Sequence, residues 1–143
     1  MIEATTSKYI EDTHFLIYYM TVSGHLNYNR YGNMMVQKNW DAVKDMPYSE
    51  PIRCYLATHV ELDKALNLLI QTLEEQGLAE DTVIAISADH WPYGLTPANL
   101  NEIANIDRSD RFDRDKLPFI IWHKGIESKK IDKLSSSLDI YPT

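Results

Sequence analysis

The chain has 143 residues, 44% apolar and 24% charged, with a net charge of −7. That is enough material for one domain with a modest core, and the balance excludes a disordered chain. The acidic balance and the lack of a Lys/Arg cluster exclude nucleic acid as a general partner, while a local basic pocket for a phosphate or sulfate stays open.

One cysteine, Cys54, leaves no intrachain disulfide to form, so cysteine usage says nothing about compartment. No apolar run approaches the ~20 residues that span a bilayer, and the segment Ile2–Lys8 is polar rather than a secretory signal. The chain by itself reads as soluble.

In chain order, Met1–Thr13 is polar and mixed, with a helical turn or a loop around Ile10. His14–Val22 (HFLIYYMTV) is aromatic and β-branched without charge, the pattern of a central strand. It ends at Ser23-Gly24-His25, where glycine permits a sharp turn and His25 is delivered at the strand's carboxyl end. Leu26–Tyr48 reads as a long loop with one helical turn near Val36–Val43. It is either a binding rim or an irregular segment whose aromatics pack on the body.

Ser49–Gln76 is the clearest helix. Ser49 is placed to cap it, Pro51 sits in the first turn, apolar groups recur from Ile52 to Leu73 at the helical period, and Gly77 stops it. At ~1.5 Å per residue it is about 40 Å long. His59 and Asp63, four apart, share a face of it; that spacing suits either a metal or a hydrogen-bonded pair.

Thr82–Ser87 is a short run without charge that reads as a strand buried on both faces. Within two residues it gives way to Ala88-Asp89-His90 and then Trp91-Pro92-Tyr93-Gly94, which cannot continue a strand. Ligands of open α/β sheets bind beyond the carboxyl ends of strands. A carboxylate and an imidazole there suit a divalent ion. Strand, long helix and strand make a β–α–β crossover, so the two strands should be parallel, with His25 and Asp89-His90 on one edge of the sheet.

Thr96 caps a short helix, Pro97–Ala104. Asp107–Lys116 alternates in charge and reads as a solvated loop or frayed helix; Arg108, Arg111 and Arg114 either bind an anion or simply face water. Leu117–Trp122 is a third buried strand, closed by His123-Lys124-Gly125, with His123 either in the site or packed. Lys129–Leu134 reads as an edge strand, and Leu138–Thr143 as the start of another helix. The fold class expected is α/β, a mostly parallel sheet flanked by helices.

The order Ser23-Gly24-His25, Glu61-Leu-Asp63-Lys, Asp81–His90, Pro118–Gly125 and Leu138–Thr143 resembles the carboxyl-terminal part of the catalytic domain of sulfatase-like enzymes in the alkaline phosphatase superfamily. The Thr21–His25 stretch is similar to the lipoteichoic acid synthase and phosphoglycerol transferase branch. The resemblance implies that Asp89 and His90 bind the metal, usually manganese in that branch. It implies that His25 contacts the glycerophosphate of a phosphatidylglycerol-type headgroup, or another phosphate or sulfate ester. It also implies a threonine nucleophile, a covalent glycerophosphoryl intermediate and an upstream acidic ligand; the alternatives are a sulfatase or phosphodiesterase of the same superfamily, or a non-catalytic α/β binding module.

No counterpart of the nucleophile turn precedes His14. The chain therefore reads, over residues 1–143, as a carboxyl-terminal fragment of one such domain, inactive alone and completed by the amino-terminal half. The parent is expected at the outer face of a bacterial membrane, and the cut sheet is expected to self-associate through its apolar edge.

Overall fold

The computed structural model describes residues 1–12, 14–108 and 110–140. Helix α1 (Ile2–Thr5) opens the chain, followed by a 3-10 turn over Thr6–Lys8. Regular structure resumes at α2 (Met34–Asn39), which runs into a second 3-10 turn at Trp40–Ala42. Then come α3 (Glu50–Glu75), β1 (Ile84–Ser87), α4 (Pro97–Ala104), α5 (Arg111–Arg114) and β2 (Phe119–Trp122), with a last 3-10 turn at Ser137–Asp139.

The fold is mixed α/β, organised on α3. Its start carries Pro51, and its end is a Schellman-type stop. Gly77 lies at φ +70, Leu78 N–H donates to the Leu73 carbonyl at 2.8 Å and Gly77 N–H to the Glu74 carbonyl at 3.1 Å. Ser49 precedes α3 but makes no side-chain cap. Its N–H and hydroxyl both donate to the Glu102 carboxylate of α4, each at 2.6 Å. The residue expected to cap one helix instead ties it to another.

Two clusters form the core along the first half of α3. Cys54 and Ala57 pack with Val36 and Val43 of the α2 region, which explains the helical turn expected there. Ile52 packs with Leu95 and Leu100, flanked by Tyr28, Tyr55 and Trp91. Asn33 caps α2, its side-chain oxygen accepting from Met35 and Val36 N–H. Thr96 and Asn99 form a reciprocal capping box on α4. Thr96→Ala is expected to cost about 1 kcal/mol, read as a lowered urea midpoint at unchanged m-value; an unaltered midpoint would show the cap to be idle.

The sheet departs from expectation. Among the described residues it has two strands, and they are antiparallel, with Ile84 opposite Trp122 and Ser87 opposite Phe119. β1 is half-buried on alternate residues rather than on both faces, and β2 is largely exposed.

The expected central strand at 14–22 does not form, and with it goes the parallel crossover. A strand needs a neighbour for its N–H and C=O groups, and this segment joins no ladder among the described residues. Two of its side chains, Phe15 and Tyr19, are half-buried. Tyr19 bonds through its hydroxyl to Thr5 and Tyr9 and Phe15 packs on Tyr9, while Leu16 is 95% and Tyr18 85% exposed.

The chain exposes 10806 Å² in all, against about 7,600 Å² for a compact monomer of this mass. Among the described residues, apolar side chains of 14–22 and β2 are left exposed. Lys129–Leu134 is exposed and joins no ladder, contrary to the expected edge strand. The expected terminal helix is reduced to the Ser137–Asp139 turn, its remainder at 141–143 lying outside the described residues.

Candidate metal and anion site

Asp89 and His90 follow β1 on the loop that Pro92 and Gly94 turn back toward α4. The His90 ring stacks flat on Tyr93, centroids 4.1 Å apart, and Tyr93 meets Trp91 edge-on at 4.9 Å. His90 Nδ1 lies 2.6 Å from the Trp91 carbonyl. A carbonyl only accepts, so Nδ1 carries the proton, and in the neutral ring Nε2 is left as a bare lone pair.

That lone pair sits 3.7 Å from Asp89 Oδ1. Two acceptors facing one another repel unless a proton or cation lies between them. Two ligands of one ion, each at about 2.1 Å, stand about 3.0–3.4 Å apart at octahedral or tetrahedral angles. The pair is thus a few tenths of an ångström wider than a chelating set, and the Asp89 side chain, 89% exposed, is free to turn inward. A histidine whose other ring nitrogen is held by a backbone carbonyl is the usual form of a metal ligand. The donor set fits a divalent ion, but incompletely: among the described residues no third His, Cys, Asp or Glu joins them.

The loop is seated on the core through Trp91 and Leu95, which pack with Ile52 and Leu100. The His25 segment lies against the same loop. A Cβ at Gly94 would stand 2.9 Å from Tyr28 ring carbons and 3.2 Å from Leu26 Cβ. Only glycine admits this approach, so Gly94→Ala is expected to cost about 1–3 kcal/mol by overpacking. A urea midpoint unchanged from wild type would mean that Tyr28 moves aside freely.

Tyr28 donates from its hydroxyl to the Gly24 carbonyl at 3.1 Å, and burial beside Tyr55 pushes its pKa up to about 12, so it remains a donor at neutral pH. Asn33 adds a second tie, its Nδ2 donating to the His25 carbonyl at 3.2 Å and the Asn27 carbonyl at 3.0 Å. The His25 ring is exposed, its Nδ1 donating to the Leu26 carbonyl at 2.8 Å. The two histidine-bearing segments therefore touch, though by loop packing and not through a parallel crossover.

Antiparallel pairing brings a third element to this end. Because Phe119 lies opposite Ser87, the chain entering β2, including α5, reaches the Asp89–His90 loop. A cleft of about 430 Å³ runs between them, lined by Asp89, His90, Trp91 and Tyr93 from the loop and by Arg111, Arg114 and Asp115 from α5 and its exit.

The same pairing sends His123 to the opposite end of the ladder. There its Nε2 bonds the Glu80 carbonyl at 2.7 Å, outside the site. His59 and Asp63 do not pair among the described residues: His59 Nδ1 donates to the Tyr55 carbonyl at 3.0 Å, and Asp63 is exposed. Arg108 closes its own loop, with its N–H on Asn101 Oδ1 at 2.7 Å and Nη1 on the Asp113 carbonyl at 2.9 Å. From sequence, Tyr28 stood only as an aromatic of the 26–48 loop, for a rim or for packing, and Gly94 only as part of the turn after His90. Their contact and the Asn33 ties were not expected, though Asn33 carried a signal as a cap residue before a helical turn.

The mixed α/β fold agrees with comparison to known proteins. The sulfatase family model matches residues 4–143, so the chain belongs to the sulfatase family. It is similar to an endo-4-O-sulfatase of Bacteroides thetaiotaomicron, 26% identical over 112 residues, covering 78% of this chain and 21% of the relative. It is also similar to a ulvan-active sulfatase of Formosa agariphila, 27% identical over 82 residues, covering 57% of this chain and 15% of the relative. The chain thus spans about a fifth or less of the length of these relatives. No solved structure matches it. Among the described residues no helix is long and apolar enough to cross a membrane.

Proposed function

We propose that Asp89 and His90 are two ligands of a divalent-metal centre at which a sulfate or phosphate ester is cleaved. The observation that carries this is the His90 Nε2 lone pair, fixed by the Trp91 carbonyl and facing Asp89 Oδ1 at 3.7 Å. The bound ion would act as a Lewis acid on the ester oxygen. The chain's own contribution is to hold the two donors in register. Asp89 brings the balancing negative charge, the Trp91 carbonyl fixes the tautomer, and Tyr93 keeps the His90 ring in its plane.

Both relatives are named sulfatases, which favours a sulfate ester. The nucleophile and the remaining ligands are assigned to other parts of the same protein. Those parts are also the proposed cover for the apolar surface of 14–22 and β2; without them, self-association through that surface is the alternative.

A second reading is favoured by the segment Thr21-Val-Ser-Gly-His25: transfer of glycerophosphate from phosphatidylglycerol, manganese-dependent, at the outer face of a bacterial membrane. In it His25 contacts the headgroup, consistent with its exposed ring beside the Asp89–His90 loop.

The test incubates the full protein, with manganese or calcium, with p-nitrocatechol sulfate and separately with phosphatidylglycerol vesicles, following products by mass spectrometry. Sulfate release abolished by Asp89→Asn supports the sulfatase reading. A glycerophosphoryl product abolished by Asp89→Asn and by His25→Ala supports the transferase. Metal binding unaffected by Asp89→Asn would overturn both.

A further inference from the structure

We propose that α5 provides a second anion subsite, in which Arg111 reads a negatively charged substituent carried by the substrate beside the ester held at Asp89 and His90. The substrate class is then a polyanionic ester, such as a multiply sulfated saccharide, rather than a simple monoester. This rests on reading the Asp89–His90 end as the ester end.

Asp115 lies 3.5 Å from Arg111 Nε and 3.4 Å from Arg114 Nε. One carboxylate therefore faces two guanidinium groups on this wall of the cleft, while Asp89 on the other wall is committed to the ion under the reading above. The two arginines differ in commitment. The Arg114 side chain is only 29% exposed, and its guanidinium lies over the Trp91 ring at 5.0 Å, which fixes it as part of the wall. The Arg111 side chain is 86% exposed. Its contact with Asp115 uses Nε, and among the described residues its terminal nitrogens have no partner.

A guanidinium held by Nε with its outer edge free is a fork suited to sulfate, phosphate or carboxylate. It stands at the open side of a cleft whose other side is Asp89 and His90. At about 430 Å³, the cleft falls within the range of small-ligand sites, so it takes more than the reacting ester. Arg111 is too solvent-exposed to anchor the ester itself, but it is well placed to select what the ester is attached to.

The test measures equilibrium binding of the full protein to inorganic sulfate, a monosulfated disaccharide and a trisulfated disaccharide at low salt. Wild type should prefer the trisulfated probe. Arg111→Ala should reduce that preference by roughly three- to tenfold, the modest effect of an exposed ion pair, and leave inorganic sulfate binding unchanged. Arg111→Lys should restore part of it, since charge returns without the fork. Asp89→Asn should abolish turnover yet keep the preference, so failure at the ester end is distinguished from failure of the subsite. An unchanged preference in Arg111→Ala overturns the proposal. So does an equal loss for all three probes, which marks general attraction.

Discussion

Replacing Ile52 by alanine is expected to destabilise the protein by about 2–5 kcal/mol and to loosen the Asp89–His90 loop with it. Ile52 is fully buried in the first turn of α3. It is the residue of that helix against which Leu95 and Leu100 close, with Tyr28 and Trp91 around them. Removing its outer carbons opens a cavity under the loop that follows β1. The loop has little else beneath it, since β1 is only half-buried and β2 largely exposed.

Chemical denaturation checks the stability term, and Ile52→Val, expected to cost about 0.5–1.5 kcal/mol, grades it. The structural term is checked by amide exchange at 89–95, which should accelerate more than exchange in the second half of α3. Equal acceleration everywhere would mean that Ile52 supports the fold but not the site.

The second large effect is expected from Asp89→Asn, and it should appear in metal affinity rather than in stability. Asparagine keeps the shape and removes the charge. At an exposed side chain this leaves folding nearly unchanged. The cost falls on the ion. Loss of an outer-shell partner alone weakens metal binding about 10- to 100-fold, and loss of a direct anionic ligand should exceed that.

Manganese titration of the full protein, wild type against variant, measures it. Affinity within a few-fold of wild type would remove Asp89 from the ligand set and leave its contact with His90 as a surface pair. His90→Ala is a poorer probe, because it also removes the partner stacked on Tyr93.

How much could be read beforehand depended on the range of the forces involved. Helix α3 was legible because its period, Pro51 and Gly77 are local signals, and observed Glu50–Glu75 lies one residue inside Ser49–Gln76 at each end. Thr96 and helix α4 were legible for the same reason. Asp89-His90 was legible as a candidate because a change from apolar run to carboxylate and imidazole is local too. The resemblance to sulfatase-like enzymes rested on such patches in order along the chain, and the sulfatase family match over residues 4–143 bears out that coarser reading.

What was misjudged was non-local. His14–Val22 has strand propensity but no ladder partner among the described residues, and strand formation is decided by the partner's N–H and C=O groups, not by the segment's own residues. Parallel pairing was inferred from the β–α–β order, yet β1 pairs with β2, whose position no spacing rule announces. Ser49 was expected to serve its own helix because its sequence neighbours are there, while Glu102, more than fifty residues on, takes both its donors.

By itself, then, the amino-acid sequence determined the long helix and its ends, the small capped helix, the placing of Asp89 and His90 after an apolar run, and the kinship these imply. Tertiary structure alone decided that the Asp89–His90 loop is closed by Gly94 against Tyr28 and Leu26. It also decided that an antiparallel ladder brings Arg111 and Arg114 to the cleft while carrying His123 away. The reason is physical: helix periodicity, capping and turns act within a few residues, where sequence is contiguous. Strand pairing and loop packing join residues far apart in the chain, and they are selected by which surfaces fit.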